Sequence, residues 1–557
     1  MIDTASPAER VEADVVIVGG GSAGCVVARR LADADPSLQV VLIEAGAGTR
    51  SFMAEIPGMT VRLMGNPKTD WLYAAEPDPS AAGRTLFWSG GRMLGGSSAI
   101  NGLVYIRGLR RDYDAWVEAG CQGWGWRDVE PYFRKAEGFE DDGEPSLGRD
   151  GPYKVSRIRS VHPLSRRFVE ACAEIGLPTL DDHGRGDAEG AFINLTSQSH
   201  GQRSSTRNRY LPSAARRSNL RVLAGMVADR VILDGQRATG VRGVAEGGRV
   251  VDVRARAQVV LSAGTVQSPA LLLRSGIGPA AQLQALGIPV TFDAALVGSN
   301  LQDHCGLTLS KFVNMPTYNS ESTGLHAATH LLNYLALRKG PLASAAVQGM
   351  GWARTDCALA EPDIHLNWLP YGVDYTVTPP ALHKRPAVSL GICVSRPHTR
   401  GQIHLRSASA ADKPIIDLRL AGDVRDVATI KGGIRLMERI FATKALSSAV
   451  VGRCNPDRPL ETDAELDEFI RHNVGIGYHG VGSCRMGSDP ASVVDTTLKV
   501  RGVDGLRVID ASVMPRLVSA NTNAATIMIG EIGAERLIHD LRATPVSHAR
   551  SGDGVTA

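Results

Sequence analysis

Aromatic residues are scarce in this sequence, 5% of 557 positions, and charge is nearly balanced, with 61 Lys and Arg against 58 Asp and Glu. Neither a long basic run nor an interleaving of basic and aromatic residues is present, which argues against nucleic acid as a partner. The one Arg-rich patch, Arg203, Arg207, Arg209, Arg216 and Arg217, reads as a solvated face or a set of internal ion pairs. The eight cysteines include no C-x-x-C pair, which argues for reduced thiols and against a zinc site, so no metal is expected. No apolar run approaches the roughly 20 residues of a membrane span. The first twelve residues lack the apolar stretch of a secretory signal, and a cytoplasmic protein without an integral membrane segment is the expectation. Ser97-Ser98 lies in no Gly-x-Ser-x-Gly elbow, which removes a serine-nucleophile reading. The small, polar tail from Ala543 is expected to fray.

What is present begins with one βαβ unit, Asp14 to Gly46. Val15 to Val18 is the β-branched run a buried parallel strand needs, and Ser22 to Ala34 has helical spacing with small residues inward. Between them Gly19 permits a tight turn, Gly21 removes the side chain that would block a pyrophosphate, and Gly24 lets helix approach strand. Amides at the helix start, around Ser22 and Ala23, would face the phosphates. Glu44, followed by Ala45, ends the second strand about 20 residues on, where an acid can accept from both ribose hydroxyls. The unit indicates a dinucleotide and does not separate FAD from NAD. The length leaves room for a second domain or a large insert.

Four glycines and two serines crowd Gly90 to Ser98, a composition suited to backbone laid against a flat ligand. The stretch from Gly90 through Arg92, Gly95, Gly96, Ser97, Asn101, Gly102 and Val104 to Asp112-Tyr113-Asp114 resembles the first signature of the glucose-methanol-choline family of FAD-dependent oxidoreductases. Gly264 to Gly278 is similar to the family's second signature, and Val297 to His304 to the block that follows it. The C-terminal segments Gly477 to Gly487, Val508 to Pro515 and Asn521 to Met528 resemble its catalytic blocks. The resemblance covers residues 14–310 and 475–540, and from 311 to 470 it is diffuse. In that gap Leu366–Leu369 and Gly391–Val394 read as strands, and Asp423 to Thr443 as a helix. Pro269 is expected in the first turn of the helix after Gly264.

The resemblance implies an α/β fold: a Rossmann-like FAD-binding domain (1–156, 214–310, 474–545) carrying an inserted α+β substrate domain on an antiparallel sheet (157–213, 311–473). It implies that His479 is the catalytic base and Asn523 the amide that orients the substrate oxygen. Ser97, Asn101 and Val104 would wrap the isoalloxazine, Val227 would lie against the adenine, and Ala263, Asp510, Ala511, Asn521, Thr522 and Thr526 would line the cofactor. Asp510 reads alternatively as a helix cap. Trp71 is a further cofactor candidate, Trp368 and Tyr478 are substrate candidates, and His304 reads as structural. Two departures from the family pattern stand out. Gly480 replaces a common proline and should loosen the backbone beside His479, and Ile100 replaces the histidine of covalently flavinylated members, so FAD should be non-covalent. The implied activity is oxidation of a primary alcohol to an aldehyde, with hydride passing to flavin N5 and electrons onward to oxygen, a quinone or a carrier protein. A quaternary-ammonium cage cannot be assembled from Trp368, Tyr371 and Tyr375 by sequence, so a neutral aliphatic or aromatic alcohol is favoured. The alternative is a cyanohydrin-cleaving type of lyase that keeps FAD structurally.

Overall fold

The computed structural model describes residues 9–48, 51–187, 189–214, 217–374 and 381–543; Arg216, Tyr375 and the tail beyond 543 lie outside them. Val15 to Val18 pair in parallel with Val40 to Ile43, and all eight side chains are buried, as a β-branched run covered on both faces must be. Around this pair a seven-stranded sheet runs in the order Leu220–Ala224, Val40–Glu44, Glu9–Val18, Val250–Leu261, Arg237–Ala245, Met226–Asp234, with Leu506–Val508 laid along Val250–Leu261. The last three strands of that order are mutually antiparallel, whereas the others are parallel.

Helix Gly24–Ala34 crosses one face of this sheet and is clasped by the C-terminal helix Asn523–Ala543. The two approach closely because Gly530 carries no side chain; a Cβ there would stand 3.2 Å from the Ala23 Cα. Arg30 then reaches the buried Glu531 carboxylate at 2.7 Å, and Tyr210 donates to it as well. Sequence positions some 500 apart are thereby held together, which is how the first and last blocks of the chain come to build one site.

The second seven-stranded sheet is wholly antiparallel, in the order Val450–Asn455, Cys305–Val313, Ala387–Val394, Ile364–Leu369, Gly349–Ala353, Gly190–Ile193, with Gly475–Ile476 also paired to Cys305–Val313. Helices Pro163–Glu174 and Val424–Phe441 cover it, the latter capped by the Asp423 side chain on the Arg425 amide. The expected strands and helix of the diffuse region are therefore all found. The strand Cys305–Val313 of this sheet spans residue 311.

Two local expectations need correction. Pro269 lies inside helix Gly264–Arg274, beyond its first turn. The carbonyl left free by its missing N–H is that of Thr265, and the buried Ser483 hydroxyl donates to it at 2.6 Å. Trp368 is fully buried, stacked on Phe168 at 5.2 Å and packed against Phe441, so it is a core residue and not a substrate contact. In strand Ile364–Leu369 side chains alternate between faces; Ile364, Leu366 and Trp368 join the apolar cluster with the covering helices, while the intervening His365 meets His304.

Removing the Ser483 hydroxyl leaves the Thr265 carbonyl buried without a donor. Ser483→Ala should cost about 1–3 kcal/mol of unfolding free energy, read as a lower denaturant midpoint at an unchanged slope.

Candidate functional site

A cavity of about 510 Å³ opens where the two sheets meet. The βαβ unit contributes Gly19, Gly21, Ser22, Ala23, Glu44 and Ala45 to its wall, and the glycine-rich loop contributes Gly96, Ser97, Asn101, Gly102 and Val104. Trp71, Val227, Ala263, Tyr478, His479, Asp510, Ala511, Asn521, Thr522, Asn523 and Thr526 complete the set expected there. Gly24, Arg92 and Gly95 stand behind the wall. Gly24 is a packing residue, since a Cβ on it would fall 1.9 Å from the Gly19 carbonyl oxygen, and the Arg92 guanidinium lies over the Trp71 ring at 5.0 Å. Ile100, without a nucleophilic atom, is buried in a small cluster with Leu63, Met93 and Ala99.

The wall fits a flat, phosphate-bearing dinucleotide. At Gly21 a Cβ would have no protein atom closer than 3.9 Å and would take up space in the cavity, while a Cβ on the neighbouring Gly96 would collide with the Gly21 Cα at 2.7 Å, so that gap admits backbone only. Each Glu44 oxygen accepts one backbone amide, from Gly20 at 2.9 Å and Gly46 at 2.7 Å, which fixes the carboxylate with its further lone pairs available to hydroxyls. Asp510 is both wall and cap: one oxygen accepts the Ser512 amide and hydroxyl, the other the Gly264 amide and the Ser268 hydroxyl.

His479 is carried on a turn that the preceding residue, Tyr478, makes with φ +61°, a left-handed conformation uncommon for a bulky side chain. The turn is pinned by the His479 amide donating to Asp303 Oδ1 at 2.8 Å. The hydrogen bonds of the ring settle its tautomer. His304 Nε2 lies 3.2 Å from the Ser395 carbonyl, which only accepts, so that nitrogen carries the proton. His304 Nδ1 is then an acceptor, and His479 Nδ1, 2.8 Å away, donates to it. The lone pair of His479 is left on Nε2, where the Asn521 amide nitrogen donates at 2.9 Å. His304, expected to be structural, therefore contacts the candidate base directly.

The amide beside His479 is thus Asn521. Asn523, expected in that place, accepts from the Ser22 hydroxyl and donates to the Tyr153 hydroxyl, both at 2.9 Å; it stands at the start of the C-terminal helix and joins that helix to the first. Asn521 Oδ1 is buried with no protein partner, an acceptor awaiting a donor in the cavity. Burial, reinforced by His304, holds the His479 imidazolium pKa well below its ordinary 6.5, and burial holds that of His304 down at about 4. Asp303 moves the other way: desolvation raises its carboxyl to about 7 despite several backbone amides that favour the anion.

Sequence reading missed Asp303, His365 and Arg203. Asp303 lies in a matched block next to His304, a signal that was available. Arg203 is buried rather than solvated, and its guanidinium binds the Asn101 backbone and side-chain oxygens and the Thr60 hydroxyl; Arg217 does pair with Asp33. Gly480 does not loosen its turn. A Cβ at that position would meet the Trp88 ring at 2.5 Å, and its carbonyl accepts the Thr265 hydroxyl at 2.6 Å.

Comparison with known proteins identifies two family models in this chain, the N-terminal part of GMC oxidoreductases over residues 13–306 and the C-terminal part over 397–530. The second begins well before residue 475, so the likeness extends into the inserted domain. An alcohol dehydrogenase [acceptor] of Pseudomonas putida is 37% identical over 537 residues, covering 94% of this chain and 95% of that protein. The mitochondrial choline dehydrogenase of Homo sapiens is 37% identical over 544 residues, covering 96% and 91%. Among solved structures, pyridoxine 4-oxidase from Mesorbium loti superposes with a TM-score of 0.86 at 32% identity, covering 95% of this chain and 99% of that one.

The Trp88 ring fills the space over Gly480, so Gly480→Ala should cost about 1–3 kcal/mol by overpacking. In a Trp88→Leu background the same change should cost close to nothing, a coupling that a double-mutant cycle of denaturation midpoints measures directly.

Proposed function

Because the chain belongs to the GMC oxidoreductase family, FAD-binding enzymes that act on CH–OH groups, we propose that it oxidises a neutral primary alcohol to the aldehyde with His479 as general base. What supports this reading is the lone pair left on His479 Nε2 by the chain of hydrogen bonds from Ser395 through His304, beside the Asn521 amide on the cavity wall, a contact the alcohol hydroxyl would take over. Nε2 takes the hydroxyl proton, and the Asn521 amide, 2.9 Å from it, holds the alcohol oxygen in line. Glu44, the glycine-lined turn and the Gly96-Ser97 loop would hold FAD non-covalently, and bound there it would supply the acceptor for the hydride leaving the same carbon. Tyr478, 43% exposed on the cavity wall, would meet the substrate as it enters.

A neutral alcohol is favoured over a quaternary ammonium by the charges on the wall. Among the described lining residues the acids are Glu44 and Asp510, and both are already committed to amide or hydroxyl donors. Trp71, Tyr73, Trp88 and Tyr371 supply rings, but a cation would lack an uncommitted carboxylate.

Anaerobic mixing of the holoenzyme with a panel of primary alcohols should bleach the flavin band. His479→Ala should slow that bleaching about a hundredfold to ten-thousandfold while FAD stays bound; an equal rate would remove His479 from the mechanism. A band that persists with every alcohol would favour the lyase. Below its folded pKa, His479 holds a proton on Nε2 and cannot accept another. Since that pKa is depressed, kcat/KM should stay level as pH falls through 6.5 and decline only at more acid pH.

A further inference from the structure

Helix Gly324–Leu337 has no Asp, Glu, Lys or Arg in its fourteen residues, and only Tyr334 is buried. A helix of that composition is ordinarily found inside a protein. Here Leu325 is 82% exposed, Leu332 68%, Leu337 60% and Leu335 51%. The helix is moored from below: Tyr334 packs with Ile56 and Ala343, and the short turn Pro341–Ala343 lies against Pro57–Met59, where Gly58 leaves just enough room for the Leu342 backbone. The segments it is moored to carry Phe52 and Val61, each 60% exposed. Val61 also stands on the cavity wall, with Thr60 and Met64, so the apolar surface runs to the mouth of the site.

We propose that this surface docks on an anionic lipid bilayer, with the helix lying in the interface and the cavity mouth turned toward the acyl chains. At fourteen residues the helix is too short to span, and no helix among the described residues is long and apolar enough to cross a membrane. The charges around it identify the partner. Arg62, Arg159 and Lys339 are exposed: Lys339 just past the helix, Arg159 reaching over to the Arg338 carbonyl, and Arg62 on the short helix Thr60–Leu63 that follows Pro57–Met59. Of the acids in these segments Glu55 is buried, and Glu321 is half-buried and hydrogen-bonded to His330. Apolar side chains rimmed by cations match acyl chains beneath anionic headgroups. A second copy of the chain is the poorer fit, because a two-fold interface would set this cationic rim against itself.

The test is co-sedimentation of the full-length holoenzyme with vesicles of phosphatidylcholine, with or without phosphatidylglycerol, alongside sedimentation velocity in the absence of lipid. The wild-type protein should pellet with the phosphatidylglycerol vesicles, and less at high salt. Leu332→Ser with Leu335→Ser should lower the partition coefficient by about tenfold or more. Arg62→Glu with Lys339→Glu should abolish the preference for phosphatidylglycerol. Both variants should keep their flavin and melting temperature, since the altered side chains face solvent. Wild-type protein that stays in the supernatant, or a leucine variant that pellets like wild type, overturns the proposal. So does a wild-type dimer that the leucine changes dissociate, which would assign the face to a second copy.

Discussion

A pocket for a flat dinucleotide has to be walled by backbone, and the packing of the first domain follows from that constraint. The βαβ unit and the glycine-rich loop touch each other through atoms that side chains would push apart: a Cβ on Gly46 would sit 2.1 Å from the Arg92 carbonyl oxygen, and one on Gly96 would sit 2.7 Å from the Gly21 Cα. Two loops so closely laid need support from behind. Helix Gly24–Ala34 provides it, itself held by the C-terminal helix through Gly530 and the Arg30–Glu531 pair. Without the last block of the chain the first helix would lose its cover, so the discontinuous domain follows from the need to close a cleft from both sides.

The second sheet supplies what the first cannot, a way of orienting an imidazole in a dry place. Its strand Ala387–Val394 leads into Ser395, whose carbonyl fixes the proton of His304, and His304 fixes that of His479. Desolvation disfavours every charged form along this chain, so the imidazoles stay neutral, while the same burial moves the Asp303 carboxyl toward neutrality. A base kept neutral by burial gives up some strength as a proton acceptor and gains a fixed lone pair. That exchange would suit the proposed work of the site, holding one hydroxyl in a single orientation.

The parts of this arrangement legible in the sequence are those where residue type states the geometry. Gly19, Gly21 and Gly24 are informative because the absence of a Cβ is itself the structural requirement, and Glu44 because its distance along the chain sets its distance in space. Pleat parity is not stated by residue type. Trp368 and His365 lie in one strand, and a reading that favours large aromatics selects the core residue over the one facing the histidine pair. The choice between Asn521 and Asn523 fails for a similar reason: both are amides at the entrance to one helix, and two residues of offset exchange the contact with His479 for the contact with Tyr153. The Ser395 carbonyl and the stacking of Trp88 over Gly480 are invisible to any reading of side-chain identity, since one is backbone and the other is a space.

Helix Gly324–Leu337 carries the same lesson in reverse. Without Asp, Glu, Lys or Arg and rich in leucine, it has the composition of a buried helix, and the structure leaves it on the surface. Scattered apolar residues on a surface need no account, but a whole helix without charge, moored by one tyrosine beside the cavity mouth, does. Conformational entropy was spent to order fourteen residues that bury almost nothing of themselves, and among the described residues no packing repays it. The proposed bilayer would supply that compensation, with exposed Arg62 and Lys339 matching the sign of its headgroups.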